Sequence, residues 1–412
     1  MNDSFKENVL KLLSGSVLSQ ILWMLSMMVL TRVYLPEEFA SYQIFVSTLG
    51  ICSIVSTARY ELAIVIPKRR LESVQLAVLA IFISIIFALV CKIILICISY
   101  FHVVVEGVWN YFPVAIVLVS AYAILYNWYI REKGCTLISV VVVLFPIVHV
   151  IAALVFKIVF NYGDGLIYAL IVARFAEVFI FGWYFLERYR KYFKGICWLA
   201  LKECAFKYAC FPKFMIAGGS LDNLSASCPV FMLDFFYGKE ITGYYSITMQ
   251  ALSAPSALVA KSISDVFRQQ SSVLYSKYNA CKCFYDKNLK LLCKISLSVG
   301  TGIIILSPIA FVIVFGEHWR LSGELARYIL PSVCLSLIAS PLSGIYIVSL
   351  QQKRYLAIQI GFFIANVLGF VFGVFIFDEV KFVLLTFSVF VALVSVVSIY
   401  LGRKIAVGEI KS

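Results

Sequence analysis

The stretch "LLSGSVLSQILWMLSMMVL", residues 12–30, contains nineteen residues and no charged side chain. As a helix it would be about 28 Å long, close to the roughly 30 Å hydrocarbon core of a bilayer. No small-residue cleavage site ends the run, so we expect a membrane helix rather than a cleaved signal peptide. The whole chain of 412 residues is 62% hydrophobic and only 14% charged. Soluble domains are nearer half apolar and a quarter charged, so this composition predicts a polytopic integral membrane protein.

Similar apolar runs recur along the chain and are separated by short polar turns. Their length and spacing predict an all-α integral membrane protein with twelve transmembrane helices. Pro308 and Pro341, inside the ninth and tenth runs, are compatible with this, because neighbouring membrane helices satisfy the freed backbone groups. The predicted spans are 9–30, 42–66, 75–99, 112–130, 137–156, 166–186, 211–233, 241–260, 291–315, 328–349, 355–377 and 382–401.

The lysines and arginines predict the orientation of these spans. With the N-terminus in the cytoplasm, 26 of the 35 basic residues fall on the cytoplasmic side, six fall outside and three lie within spans. Cytoplasmic loops of membrane proteins carry such an excess, so both termini are predicted to be cytoplasmic. The same excess accounts for the net charge of +13. We expect no nucleic-acid partner, because no soluble domain is predicted to present a basic face.

The longest central connection, residues 187–210, divides the predicted spans into six and six. It separates an N-terminal half, 1–186, from a C-terminal half, 211–412, and is rich in basic and aromatic residues. This mixture fits a cytoplasmic helix lying on anionic lipid headgroups, or equally a plain basic loop.

Cysteine and histidine give no sign of a metal site or of catalysis. The twelve cysteines form no C-x-x-C pair, and the three histidines are scattered along the sequence. We therefore expect buried or reduced thiols, no metal, no cofactor and no catalytic residue.

The two halves show a weak internal repeat at an offset of 202 residues. Both copies begin with a span that runs from the inside to the outside, which predicts a parallel repeat with a site between the halves. The offset aligns Glu38 with Glu240, Tyr42 with Tyr244, Arg59 with Lys261, and Gln20 with Asp222.

Charges within the predicted spans are candidate functional residues, because a charge at bilayer depth costs at least about 2.5–3.5 kcal/mol. Arg59 lies nine residues before Lys68, about 13 Å along a helix and too deep to reach the cytoplasmic interface easily. In a continuous helix, Glu61 would point away from Arg59, so we expect no local pair between them. Arg59 is then either a cavity cation or half of an ion pair between helices.

Arg174 and Glu177 differ from that pair in their spacing. At i,i+3 they lie on one helix face and can neutralise each other, which favours a structural pair. Lys92 has no local partner in the outer half of the third span. Cavity lining and snorkelling towards the outer surface explain it equally well.

The seventh span has a polar centre around Asp222 and Asn223, and the first span carries Gln20 among serines. Two spans with polar centres suit a hydrophilic passage through the protein. Hydrogen bonding between packed helices explains the serines equally well, but it explains Asp222 poorly.

Several stretches resemble one family, the Wzx-type flippases for lipid-linked oligosaccharides of bacterial O-antigen and capsule synthesis. The resemblance covers nearly the whole chain, although Ala40 replaces the usual glycine in the first outer turn. The stretches are "TRVYLPEEFASYQIF" (31–45), "RYELAIVIPK" (59–68), "YNWYIREKG" (126–134), "FPKF" (211–214) and "GYYSITMQALSAPSALVAKSISDVFRQ" (243–269).

This resemblance implies a member of the multidrug/oligosaccharidyl-lipid/polysaccharide exporter (MOP) superfamily, with two six-helix bundles around a central cavity. Such a protein would lie in the bacterial inner membrane and carry an undecaprenyl-pyrophosphate-linked repeat unit to the periplasmic leaflet by alternating access. H⁺ or Na⁺ would be the coupling ion, and membrane lipids, a polysaccharide polymerase and a chain-length regulator would be partners. The candidate substrate-binding cations are Arg59, Lys92, Arg174 and Lys261. The candidate ion-coupling or polar cavity residues are Glu61, Asp222, Asn223, Gln20 and Glu177.

Two other functions fit the sequence less well. A multidrug or cation antiporter of the same superfamily would need acidic cavity residues to dominate, whereas this chain has at least as many intramembrane cations. An integral polymerase or glycosyltransferase would resemble proteins with one large outer loop, and the predicted outer loops here are short. No G-x-x-x-x-G-K-[ST] motif is present, which argues against ATP hydrolysis by this chain.

Overall fold

The computed structural model describes residues 3–100, 107–190, 192, 198–278, 280–349 and 351–409. These residues form helices joined by short turns, and none of them lies in a β-strand. The chain divides into two compact units, Met1–Asn223 and Leu224–Ser412.

The first unit contains six long helices and two short ones before the start of α9. A 3₁₀ turn, Gly107–Tyr111, precedes α5, and a π-helical turn, Phe211–Met215, precedes α9. The helices are α1 Asp3–Leu30, α2 Pro36–Ser56, α3 Tyr60–Ala63, α4 Arg70–Tyr100, α5 Phe112–Arg131, α6 Cys135–Ile158, α7 Gly165–Tyr189 and α8 Trp198–Lys207.

The boundary between the units falls inside α9, Ile216–Tyr278. Gly238 interrupts α9 with φ 80° and ψ 179°, a conformation that glycine adopts without steric cost. The interruption makes two long helices of α9, where the sequence predicted spans 211–233 and 241–260. The remaining helices are α10 Lys282–Phe315, α11 Arg320–Leu342, α12 Gly344–Val348, α13 Gln352–Ile376 and α14 Val380–Val407.

The apolar helices have the length and the surface of membrane spans. Among the described residues, nine helices are long and apolar enough to cross a bilayer, and Ser14–Leu30 is a shorter apolar stretch. In α4, side chains such as Leu89 and Ile93 are about 60% exposed, although they are fully apolar. A surface of this kind is stable only in hydrocarbon. The predicted all-α membrane fold class is therefore confirmed.

Aromatic packing holds the end of the first unit that is predicted to be cytoplasmic. The fully buried ring of Trp128 on α5 meets the rings of Phe185 and Tyr189 on α7 edge-on, at centroid distances of 5.0 Å. Arg131, at the end of α5, donates to the backbone carbonyls of Pro67 and Lys68. These bonds fix the turn that leads into α4.

Buried tyrosine hydroxyls join the helices of the second unit. Tyr285 on α10 donates to the carbonyl of Ile399, and Tyr346 on α12 donates to the carbonyl of Ser398. Both acceptors lie on α14, so one helix receives the bonds of two neighbours. Each side chain is at most 1% exposed, and a buried hydroxyl must find such a partner.

The central connection contains one short helix, and this helix runs along α4. Lys207 at its end bonds Glu72 in the first turn of α4, while Trp198 at its start packs on Phe82, ten residues further along α4. The two helices are therefore antiparallel. α8 is thereby placed along the first part of α4, and the predicted position of 187–210 on the headgroups stays a prediction.

The second predicted span differs from the structure. A single helix over 42–66 was expected, but α2 ends at Ser56 and α3 covers only Tyr60–Ala63. The chain between them turns through residues with left-handed backbone conformations. This break positions the candidate site.

Candidate functional site

The break between α2 and α3 is formed by two non-glycine residues in the left-handed region. Ala58 has φ 49°, and Arg59 has φ 60°. The left-handed conformation costs an L-residue roughly 1–2 kcal/mol, because Cβ crowds the carbonyl oxygen. Strain of this kind persists where surrounding contacts hold it, and it often marks functional positions.

The break brings Arg59 and Glu61 together. Nη1 of Arg59 lies 3.5 Å from Oε1 of Glu61, and Thr57 donates a 2.5 Å hydrogen bond to the other carboxylate oxygen. The expectation that Arg59 and Glu61 form no local pair is therefore wrong. That expectation assumed a continuous helix, but the left-handed backbone at Arg59 interrupts the helix.

The guanidinium of Arg59 also lies against α9. A Cβ on Gly219 would overlap Nη2 of Arg59, so the guanidinium occupies this place only because residue 219 has no side chain. Asp222, one turn further along α9, is close enough to Arg59 for electrostatic attraction. Arg59 thus has a carboxylate on its own segment and a second one on a neighbouring helix.

Arg59 keeps unused hydrogen-bonding capacity. Its Nε is buried and has no hydrogen-bond partner among the described residues, while 22% of the side chain is exposed. Leaving a buried donor unpaired costs about 1–3 kcal/mol. The guanidinium is therefore suited to donate a hydrogen bond to a further, anionic partner.

Asn223 fixes α9 next to α2. Its amide nitrogen donates to the carbonyl of Gly219 at 3.2 Å, and its Oδ1 would lie 3.3 Å from a Cβ on Gly50 of α2. Glycines at positions 50 and 219 thus let α9 approach the broken segment closely. We call Thr57, Arg59, Glu61, Gly219 and Asp222 the Arg59 cluster. Asn223 helps to hold this cluster in place.

A second contact ties the broken segment to α8. The hydroxyl of Tyr60 donates to the carbonyl of Ala205 at 3.0 Å. The short helix α3 also packs against the π-helical turn Phe211–Met215. Two elements that are distant in sequence, α8 and the π-helical turn, therefore hold the residues that follow Arg59.

Arg174 and Glu177 form a separate pair on α7, as their spacing predicted. Nη1 of Arg174 lies 2.6 Å from Oε2 of Glu177, whose side chain is 1% exposed. The guanidinium also stacks on the rings of Phe145 and Tyr122, at 4.2 Å and 4.8 Å from their centroids. An ion pair between two rings is typical of a structural role.

His149 lies near this pair, although no sequence pattern predicted it. Its imidazole is fully buried and packs against the rings of Trp23, Tyr42 and Phe145. Phe145 therefore lies between the histidine and Arg174. Within the described residues, no group of three His, Cys, Asp or Glu side chains could hold a metal ion.

The other predicted site residues lie elsewhere. Lys92 donates to Oδ1 of Asn110 in the 3₁₀ turn at 3.0 Å, a contact that favours snorkelling to the outer end of α4. Gln20 is half-buried on α1, beside Ser19, which bonds the carbonyl of Val142. Lys261 lies in α9, but its side chain falls outside the described ones. Roles for these three residues remain predictions.

Sequence reasoning missed Thr57 and Gly219 as parts of the site. Thr57 is an ordinary residue in an apolar run, and its role depends on the break that follows it. Gly219 carried a weak signal, because two adjacent glycines inside a helix are unfavourable unless close packing requires one of them.

Comparisons with known proteins agree with this fold. The family model described as polysaccharide biosynthesis protein matches residues 5–267. The inward-facing structure of a multidrug resistance MATE family transporter of the MOP superfamily is 16% identical, with a TM-score of 0.72 and coverage of 93% of this chain and 94% of that one. No curated protein matches the sequence.

A MOP superfamily transporter from Pyrococcus furiosus, described as having a binding pocket of reversed polarity, is 14% identical. Its TM-score is 0.62, with coverage of 98% of this chain and 97% of that one. The outward-facing MATE structure is 15% identical, with a TM-score of 0.61 and coverage of 97% and 95%. These similarities show a transporter fold of twelve long helices in two bundles.

Proposed function

We propose that this chain, which belongs to the polysaccharide biosynthesis protein family, is a flippase for a lipid-linked oligosaccharide. The substrate is an undecaprenyl-pyrophosphate-linked repeat unit of O-antigen or a similar surface polysaccharide. It moves from the cytoplasmic to the periplasmic leaflet of the bacterial inner membrane by alternating access. The family match and the MOP transporter fold support a membrane transporter, and the chemistry of the site supports this substrate class.

The observation that carries the proposal is the state of Arg59. An arginine at membrane depth is always charged, and its planar donors match phosphate oxygens in pairs. Here the guanidinium holds Glu61 only at 3.5 Å, and its Nε has no partner among the described atoms. A pyrophosphate would provide the missing acceptor and compete with the carboxylate.

Competition for Arg59 also links substrate binding to ion binding. When the pyrophosphate binds, Glu61 and Asp222 lose part of the attraction of the guanidinium. Each carboxylate then needs a counter-charge, which H⁺ or Na⁺ supplies. Release of the substrate restores the pair with Arg59 and expels the ion. The strained turn at Ala58 and Arg59 lets the guanidinium change partners without moving α2.

Complementation of a flippase-deficient strain tests the proposal. We expect Arg59→Ala to abolish surface polysaccharide and Arg59→Lys to restore little, because lysine keeps the charge but loses the paired donors. Arg69→Ala, which removes an exposed arginine near the cytoplasmic end of the same segment, is the matched control and should complement fully. Normal polysaccharide with Arg59→Ala, at equal protein level in the membrane, would refute the role of Arg59.

A multidrug or cation antiporter is the second candidate, and one observation favours it. Two carboxylates, Glu61 and Asp222, lie near one guanidinium, so the cluster carries a net charge of −1 when both are ionised. An antiporter should protect cells from cationic drugs, and Asp222→Asn should remove that protection. If the chain is a flippase, Asp222→Asn should leave drug sensitivity unchanged and should fail to complement the flippase-deficient strain.

A further inference from the structure

The second unit contains a cavity at the end of α10, α11 and α14 that is predicted to face outward. Its volume is about 600 Å³, and both polar and apolar side chains line it. The lining residues are Pro308, Arg320, Glu324, Arg327, Tyr328 and Leu385.

The first two turns of α11 supply the polar wall. Arg320, Glu324 and Arg327 are spaced i, i+4 and i+7, so a helix carries all three on one face. Pro308 on α10 and Leu385 on α14 add apolar side chains to the lining. The cavity is therefore lined by both charged and apolar groups.

The charges around the cavity leave hydrogen-bond donors available. The carboxylate of Glu324 is held by Lys381 at 3.0 Å, and Glu317 engages one nitrogen of Arg320 at 3.1 Å. Within the described residues, Arg327 forms no ion pair, and its side chain is exposed. Glu379 also lies 3.7 Å from Lys381. The acidic groups are thus engaged by Lys381 and Arg320, while Arg327 and the remaining donors of Arg320 are available to an anion.

This accumulation of basic residues is unusual for its location. Only six basic residues of the chain are predicted to lie outside, because outer loops avoid lysine and arginine. Arg320, Arg327 and Lys381 are three of these six, and all of them lie at or beside this cavity. Chance placement in the outer loops would not be expected to gather half of them around one opening.

The surface next to the cavity is hydrophobic. On α10, the residues around Pro308 expose large apolar side chains, with Ile305 and Ile309 66% and 63% exposed. Exposed isoleucines at these positions require contact with lipid chains. An occupant of the cavity therefore meets arginines and hydrocarbon at the same time.

We propose that this cavity binds the phosphate headgroup of an outer-leaflet phospholipid. Arg327 and Arg320 bind the phosphate oxygens, and the first part of the acyl chains lies along Pro308 and Leu385. A free glycan would satisfy the arginines but would not suit the apolar wall. The inference is independent of the transported substrate and therefore does not depend on the flippase proposal.

Native mass spectrometry of the purified full-length chain tests this site. The probes are phosphatidylglycerol and diacylglycerol, which share acyl chains and differ in the phosphate-bearing headgroup. We expect phosphatidylglycerol to bind and Arg320→Gln/Arg327→Gln to weaken its first binding event about tenfold, since two charge-assisted bonds are lost. Arg327→Gln alone should weaken it less. Because that side chain is exposed, the single variant should fold even if the double variant does not.

The matched control is Lys282→Gln/Lys287→Gln, which removes two exposed charges at the opposite end of α10. Equal phosphatidylglycerol affinity in the arginine variants and the wild type would overturn the proposal. So would an equal loss in the lysine control, since that would indicate unspecific attraction. Equal binding of diacylglycerol would show that the phosphate is not recognised, and displacement by inorganic phosphate would show that the site is not one for lipid.

Discussion

Gly219 and Arg59 lie so close together that a Cβ on Gly219 would overlap Nη2 of the arginine. The two residues are 160 positions apart in the sequence. Their contact places a guanidinium at the surface of α9, one turn before Asp222. The position of Arg59 therefore depends on the absence of a side chain at 219.

Gly219→Ala should displace Arg59 and reduce transport strongly. The added methyl group overlaps the guanidinium, which must leave its place near Glu61 and Asp222. Gly218→Ala is the matched control, because a Cβ there meets nothing within 4 Å. It should leave transport intact and stabilise the helix by up to about 1 kcal/mol. Surface polysaccharide and thermal unfolding in detergent measure both effects, and equal behaviour of the two variants would contradict this account.

Thr57→Val should loosen the break between α2 and α3. The substitution keeps the shape of the side chain but removes the hydrogen bond to Glu61, which is worth about 1.5–3 kcal/mol because its acceptor is charged. We expect a lower melting temperature in detergent, whereas Thr57→Ser should stay near the wild type. Thr301→Val, at an exposed position on α10, is the control for the loss of a hydroxyl. A melting temperature unchanged by Thr57→Val would speak against this role of Thr57.

The pair formed by Arg174 and Glu177 predicts strong non-additivity. Arg174→Met leaves the buried carboxylate without its counter-charge, and removing one partner of a buried pair costs about 3–5 kcal/mol. Removing both charges in Arg174→Met/Glu177→Leu should restore much of that stability, because no charge is then left buried. A double-mutant cycle of unfolding free energies measures the coupling. Additive losses would mean that the two side chains do not depend on each other.

Tyr60→Phe should loosen the attachment of α8. The ring is kept, but the hydrogen bond to the carbonyl of Ala205 is lost, at a cost of about 1 kcal/mol. Backbone amides of Trp198–Lys207 should then exchange faster with deuterium. Tyr162→Phe, an exposed position in the turn between α6 and α7, should leave that exchange unchanged. Unaltered protection of α8 in the Tyr60 variant would rule out the link.

Patterns of apolar residues predicted most of the helices, because the bilayer dictates both their length and their composition. Local spacing also predicted the pair of Arg174 and Glu177, since i,i+3 geometry holds in any helix. The same reasoning failed at Arg59. Nothing in "STARYE" (56–61) marks a left-handed turn: it contains no glycine, proline or asparagine. Tertiary contacts from Gly219 and Ala205 hold that turn, and they come from segments that local patterns cannot bring together.

The contact between Gly219 and Arg59 also has a consequence for comparing sequences. Two neighbouring glycines, 218 and 219, look equivalent in a sequence, yet only the second lies against another side chain. Related chains that retain an arginine at the position of Arg59 should retain glycine at 219, and position 218 should vary freely. Chains with a small residue in place of Arg59 should accept larger residues at 219. Paired variation of these two positions therefore provides a marker that separates relatives with this cationic site from relatives that have lost it.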